Sequence, residues 1–200
     1  MILLVAIVLG LAAGLARAWK GKRPYQPYNL KYPWFVVIGF VMQFLAFNYR
    51  PTQVFFSRWA SVALVCSQIL LITFALVNLK KFPFWALGLG LLSNFIVIIL
   101  NGGLMPIQPE VVQKLIPGPS NGLWVVGERL LSTKDIVLPL NATRLWFLDD
   151  RFILPAWFNY PVAFSIGDVL IAIGAFWLLW NMGGPNKEQK EISNGKDVEI

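Results

Sequence analysis

Asp150 and Asp168 are the side chains of this sequence best suited to chemistry, with Asp149 as a substitute for the first. Two carboxyl groups held close together cannot both ionise cheaply, so one keeps its proton to higher pH. One can then serve as general base to a water while the other acts as acid, the division of labour of aspartic proteases. Eighteen positions separate the two residues, a spacing that allows a meeting without requiring it. Each also has a plainer reading. Asp149 and Asp150 would form a solvated acidic pair neutralised by Arg151 or Arg144. Ser165-Ile166-Gly167-Asp168, ahead of an apolar run, matches a capping box with Ser165 as N-cap and Asp168 at the third helical position.

Other polar groups could complete a site. Asn94 and Asn101 are seven apart, hence on nearly one face of a helix. Asn101, Gly102, Gly103, Asn94, Arg144 and Ser165 are the candidate substrate-binding residues, with Gln43 on a neighbouring element. Histidine is absent, which removes Ser-His and Cys-His nucleophile systems, haem ligation by histidine and most zinc sites. Neither a metal nor another cofactor is expected. Cys66 is the only cysteine, so no intramolecular disulfide can form, and packing is its expected role.

The elements that must position these groups are apolar. The 200 residues are 57% hydrophobic and 14% charged, with a mean hydropathy of +0.63, nine Trp and fifteen Phe. A soluble domain of this size needs far more charge on its surface. The composition predicts an all-α polytopic membrane protein. Helices are expected near residues 1–16, 34–49, 59–79, 82–100 and 162–181, about five spans in all. Together they form a single membrane domain over residues 1–182, followed by a disordered polar tail, 183–200. The first run lacks a basic leading segment, so it is expected to remain as a helix and not to be cleaved as a secretory signal. Gly10 and Gly14 form a GxxxG in that run, and Gly88 and Gly90 sit in the fourth; helix packing is their expected role.

Charge sets the orientation. The segment after the first run holds Arg17, Lys20, Lys22, Arg23 and Lys31 with no acid, and Lys80-Lys81 follows the third run. Positive loops stay in the cytoplasm, which puts the amino terminus outside and the tail inside. The excess of +7 is then a topology signal and a lipid contact, and nucleic-acid binding is not expected. In this frame Asp168 lies seven residues past Pro161, roughly 10 Å into the helix and in the outer third of the hydrocarbon core. A mid-membrane carboxylate would cost about 2.5–3.5 kcal/mol, and the shallower depth lowers that cost.

The outer loop, 101–161, is long and partly apolar. It carries Ile136-Val137-Leu138, Leu145-Trp146-Phe147-Leu148 and Ile153-Leu154 between prolines. Short strands or interfacial helices are expected there, with Trp124, Trp146 and Trp157 at headgroup level. An apolar cover beside an embedded polar site suits a lipid-linked or membrane-peptide substrate, and equally a structural plug.

Three stretches carry a resemblance: Asn101-Gly102-Gly103-Leu104-Met105-Pro106, Thr143 through Asp150, and Phe164-Ser165-Ile166-Gly167-Asp168-Val169. Taken to about Asn181, the chain resembles a bacterial family of small multi-pass proteins known only as domain of unknown function 5317. That resemblance implies a protein of the bacterial cytoplasmic membrane and no activity. More distantly, the last forty residues look like the end of lipoprotein signal peptidase (signal peptidase II), an aspartic enzyme of the outer face. There Phe164 to Asp168 would stand in its Phe-Asn-x-Ala-Asp motif and Asp150 in the earlier one. Ser165 replaces the Asn and Gly167 the Ala, no Gly-Asn-x-x-Asp-Arg motif precedes Asp150, and five helices stand where that family has four. The residues leave three readings: a membrane protein of uncharacterised role with a polar site of Asn101, Asp150 and Asp168 near the outer leaflet, an aspartic intramembrane peptidase, and a binding or accessory module for a membrane partner or lipid.

Overall fold

The computed structural model describes residues 2–48, 59–116, 124–155 and 161–185. Most of the expected disordered tail, the segment 49–58 between the second and third apolar runs, and Trp157 lie outside the described residues.

The chain is mostly helical: α1 (Ile2–Lys20), α2 (Trp34–Phe47), α3 (Ala60–Val77), α4 (Pro83–Leu100), the short α5 (Pro109–Leu115) and α6 (Ile166–Met182). α1 runs a turn beyond its apolar stretch, because Arg17 and Lys20 favour the negative end of the helix dipole. α4 opens with Pro83 in its first turn, where the missing N–H costs nothing. α1, α3 and α4, of 19, 18 and 18 residues, are long and apolar enough to cross a membrane. The apolar α2 and α6 are shorter, 14 and 17 residues. At 1.5 Å per residue they reach roughly 21 and 26 Å against a core of about 30 Å.

Small residues dictate how the helices meet. Ala6, Gly10, Gly14 and Ala18 form a buried stripe along α1. A Cβ on Gly10 would lie 2.8 Å from the backbone of Phe176, and one on Gly14 would strike Leu179 and Tyr25, so α1 and α6 run parallel in close contact. A Cβ on Gly90 would lie 2.8 Å from Ile171, and one on Gly174 would lie 2.7 Å from Leu87, so α6 and α4 run antiparallel. Phe74 meets Phe84 edge-on at 5.4 Å between α3 and α4. Gln43 and Gly39 of α2 face Ser67 and Leu71 of α3. The spatial order is therefore α1-α6-α4-α3-α2, an arc. α1 and α2 are neighbours in sequence, yet they stand at its two ends.

The linker after α1 crosses the basic end of this arc. Tyr25 Oη donates to Leu179 O at 3.0 Å, and Gln26 N donates to Met182 O at 3.0 Å. Asn78 then clamps Lys31, accepting from its N–H at 2.9 Å and donating to its carbonyl at 3.0 Å. Every described acidic residue lies at the opposite end, in the loop after α4 or the first turn of α6.

That loop holds short strands as well as helical turns, both among the forms expected of it. Its described residues fold into a small crown with two two-stranded sheets. β1 (Met105–Ile107) pairs in parallel with β2 (Asp135–Val137), and β3 (Phe152–Ile153) pairs antiparallel with β4 (Ala163–Phe164). The prolines keep each apolar run too short for a helix, while Ile136, Val137 and Ile153 are β-branched and suit a pleat. Ile107, Val111, Val112, Leu130 and Val137 form the crown's own core, and Trp124 packs partly buried against it. Residues 162–165 are spent on β4 and the N-cap, so α6 starts at Ile166 and not at 162.

Candidate functional site

Asp168 sits in the first turn of α6 and is held from two directions. Its N–H donates to Ser165 Oγ at 3.1 Å, and its Oδ2 accepts from Ser165 N at 3.2 Å, which completes the capping box. Asn94 of α4 donates from Nδ2 to Asp168 Oδ1 at 2.8 Å. Ser165 Oγ donates to Asn94 Oδ1 at 3.0 Å. Gly167 makes this possible, since a Cβ there would collide with the Asn94 side chain.

Asp150 has a different partner, one that sequence reasoning missed. Lys134 Nζ donates to Asp150 Oδ2 and lies 3.3 Å from Asp135. Strand β1 fixes both: Met105 N donates to Lys134 O at 3.0 Å, and Asp150 N donates to Pro106 O at 3.0 Å. Asp150 is 1% exposed and Asp149 0%, which corrects the expectation of a solvated pair. Asp149 accepts from Gln108 Nε2 at 2.7 Å and lies 3.8 Å from Arg151. Arg144 pairs with neither among the described residues, and its side chain is exposed. Burial pushes the Asp150 carboxyl well above the ordinary carboxylate range, against the opposing pull of Lys134. The charges of Asp135 and Asp168 add to the rise. Burial alone would lower Lys134, but Asp150, Asp135 and Asp168 together raise it, so its charge is secure. The Asp149 carboxyl is raised by burial, partly offset by Gln108 and Arg151.

Asn101, Gly102 and Gly103 make a turn. Asn101 Nδ2 donates to Val97 O at 2.7 Å and to Arg144 O at 2.9 Å, while its Oδ1 accepts from Arg144 N at 2.9 Å. Both ends of this side chain are occupied in fastening the crown to α4. Gly102 and Gly103 have φ of +84° and +86°, and Gly103 N returns to Ile98 O at 2.8 Å, the left-handed ending that glycine allows. Cys66 is exposed on α3, contrary to its expected packing role.

A cavity of about 610 Å³ occupies the concave side of the arc, lined by residues of α1, α2, α3, α4, α6 and the crown. Its walls are chiefly apolar, with Leu71, Phe74, Leu91 and Ile171 among them. Among the described residues, five polar side chains interrupt them: Gln43, Gln68, Asn94, Lys134 and Asp168. Four of these come from helices at one level. Gly103 abuts Ser61, so the two mark the same height on α4 and α3. Gln68 stands seven residues past Ser61, and Asn94 stands six residues before Leu100, the last residue of α4, each roughly 10 Å in from that contact. Gln43 reaches the same level by donating to Ser67 Oγ at 2.8 Å. Gln68 is 8% exposed, and its Oε1 has no hydrogen-bond partner among the described residues. The sequence did carry a signal for it: Ser67-Gln68 is the one polar pair within the α3 run. Among the described residues, no three His, Cys, Asp or Glu side chains are grouped to hold a metal ion.

No curated protein and no solved structure matches the chain, and nothing in these comparisons supports the likeness to lipoprotein signal peptidase. The family of unknown function DUF5317 matches residues 27–180, from the linker after α1 to near the end of α6. That span holds Gln43, Gln68, Asn94, Lys134 and Asp168 as well as the whole crown, and the chain belongs to that family.

Proposed function

We propose that this membrane protein is a binding module for an amphiphile, whose hydrocarbon chain enters the concave side of the arc and whose head stops at the polar belt. The observation that carries this reading is the cavity itself, apolar over most of its wall and polar at one level near the crown. Sites for small amphiphiles combine these properties, and volumes of roughly 300–1,000 Å³ are usual. α1 and α2 both line the cavity and do not pack closely on each other, which leaves a side open for a chain to enter from the bilayer. The binding reading also requires five crossings of a bacterial cytoplasmic membrane, with the crown outside. The alternating helix directions and the acid-free basic end support that orientation. α2 and α6 would complete their crossings by local thinning of the bilayer or by snorkelling of flanking residues.

The test is retention of dodecanol by the purified protein, followed by native mass spectrometry after release from tetraethylene glycol octyl ether micelles. The native chain should retain one molecule. Ala175→Phe places a ring in the cavity wall and should abolish retention, whereas an unchanged occupancy in that variant would point to a site elsewhere.

A hydrolytic reading keeps one favourable observation: the charge of Asp168 acts on Asp150, whose own carboxyl is lifted by burial. An aspartic mechanism needs a water shared by both groups. In that case Asp150→Asn and Asp168→Asn should each abolish cleavage of a lipid-modified peptide while leaving the protein in the membrane.

A further inference from the structure

The polar belt also has a sign. Among the described residues, the buried side-chain atoms at the crown end with neither a hydrogen bond nor an ion pair are acceptors, Gln68 Oε1 and Asp150 Oδ1, while Asp135 Oδ1 and Asp149 Oδ1 have only the ion pairs to Lys134 and Arg151. Gln68 is the one of these that lines the cavity, on the α3 wall. From the α4 and α6 side, Asp168 presents a carboxylate held by two neutral donors, Asn94 Nδ2 and Ser165 N. Neither brings a positive charge. Among the described residues Lys134 is the one cation that lines the cavity, and Asp150 and Asp135 already bind it from the crown. The wall around the head position is thus rich in acceptors, and negative charge exceeds positive there.

From this geometry we infer that the head group is a hydrogen-bond donor carrying positive charge, a primary ammonium on a single hydrocarbon chain, with Gln68 Oε1 and the Asp168 carboxylate as its acceptors. The inference rests on the amphiphile-binding reading and adds the head chemistry. An ammonium has three donors and no acceptor, so it can serve both walls at one level. Bonds of this kind gain from the charge and from the dry surroundings. A phosphate or carboxylate head would meet Gln68 Oε1 and Asp168 acceptor to acceptor, leaving Lys134 as its sole attraction, shared with two carboxylates. The apolar stretch below the belt, between Leu91 and Leu178, takes the chain.

The experiment compares dodecylamine, dodecanol and dodecyl phosphate, three heads on one chain, by retention in native mass spectrometry at neutral pH. Dodecylamine should bind about tenfold more tightly than dodecanol, the difference expected of a hydrogen bond to a charged group, and dodecyl phosphate should bind least. In Asp168→Asn the amine should fall to the level of the alcohol. In Gln68→Leu, which leaves the capping box intact, amine and alcohol should both weaken, since each has lost an acceptor. Circular dichroism checks the helix content of both variants, and if Asp168→Asn fails to fold, Gln68→Leu carries the test. Equal retention of the three heads, a preference for the phosphate, or an unmoved amine in the variants would overturn the ammonium assignment while chain binding stands. Retention of none of them would overturn chain binding itself.

Discussion

Asn94 and Asp168 are joined by a 2.8 Å hydrogen bond that ties the middle of α4 to the first turn of α6. The Asn94 amide also accepts from Ser165 at 3.0 Å, so one side chain holds both members of the capping box. Asn94→Leu would leave the buried Ser165 hydroxyl without its acceptor and take one donor from the half-buried Asp168 carboxylate. The expected cost is about 1–3 kcal/mol. Asp168→Asn keeps an oxygen for Ser165 N and should cost less, about 1 kcal/mol or under. Thermal unfolding in micelles should rank Asn94→Leu below Asp168→Asn. The reverse order would mean that the negative charge, and not the bonding pattern, secures the start of α6.

Gly88 and Gly90 look alike in the sequence and differ in the fold. A Cβ on Gly88 would sit 3.8 Å from Ala75, an ordinary contact, whereas one on Gly90 would meet the Ile171 backbone nitrogen at 2.8 Å. Gly88→Ala should therefore be neutral or stabilise α4 by up to about 1 kcal/mol through helix propensity. Gly90→Ala should force α4 from α6 and lower the unfolding midpoint. Equal behaviour of the two variants in the same unfolding assay would contradict the close α4–α6 crossing.

Lys134 is the counter-charge for a buried carboxylate. Lys134→Met leaves Asp150 without one, and removal of one partner of a buried pair costs about 3–5 kcal/mol. The Lys134 side chain is 38% exposed, so solvent screening brings the expected loss to about 2 kcal/mol. Adding Asp150→Leu should recover much of the loss, because no unpaired charge then stays buried. A double variant as unstable as the sum of the singles would show that the pair is not coupled.

How much of this was legible depends on sequence distance. The capping box is local: Ser165 and Asp168 are three apart, and the apolar run after them announces the helix. The GxxxG of α1 was equally local, although its partner, α6, lay far along the chain. Lys134 escaped notice because it meets Asp150 only when β1 gathers both strands of chain, at Met105 and Pro106. The strands themselves are two or three residues long, too short for alternation to register. Asn101 stands out in the sequence as a candidate substrate contact, and its side chain is occupied in clamping backbone; a side chain that does so looks in sequence like one that waits for a ligand. The order α1-α6-α4-α3-α2 has no local signal, and the cavity depends on it entirely.

Asp149 offers a pH test whose sign can be worked out. Its folded pKa is raised above the ordinary 3.8 by burial, and that of Asp150 is raised also. Between about pH 4 and those raised values the folded protein holds more protons than the unfolded chain, so stability must fall as pH rises. Well below the ordinary 3.8 both carboxyls are protonated in either state, and their contribution is fully present. Lys134, also raised, acts only above the ordinary lysine range and leaves this window untouched. Asp149→Asn preserves an oxygen to accept from Gln108 Nε2, removes the charge, and so should be more stable than the native chain at pH 7 and no more stable at pH 4. Unfolding midpoints measured from pH 4 to 8 should show a shallower decline in Asp149→Asn, with the remaining slope due to Asp150. A native chain whose stability climbs over that range would mean that Arg151 and Lys134 outweigh burial, and that both carboxyls are held ionised.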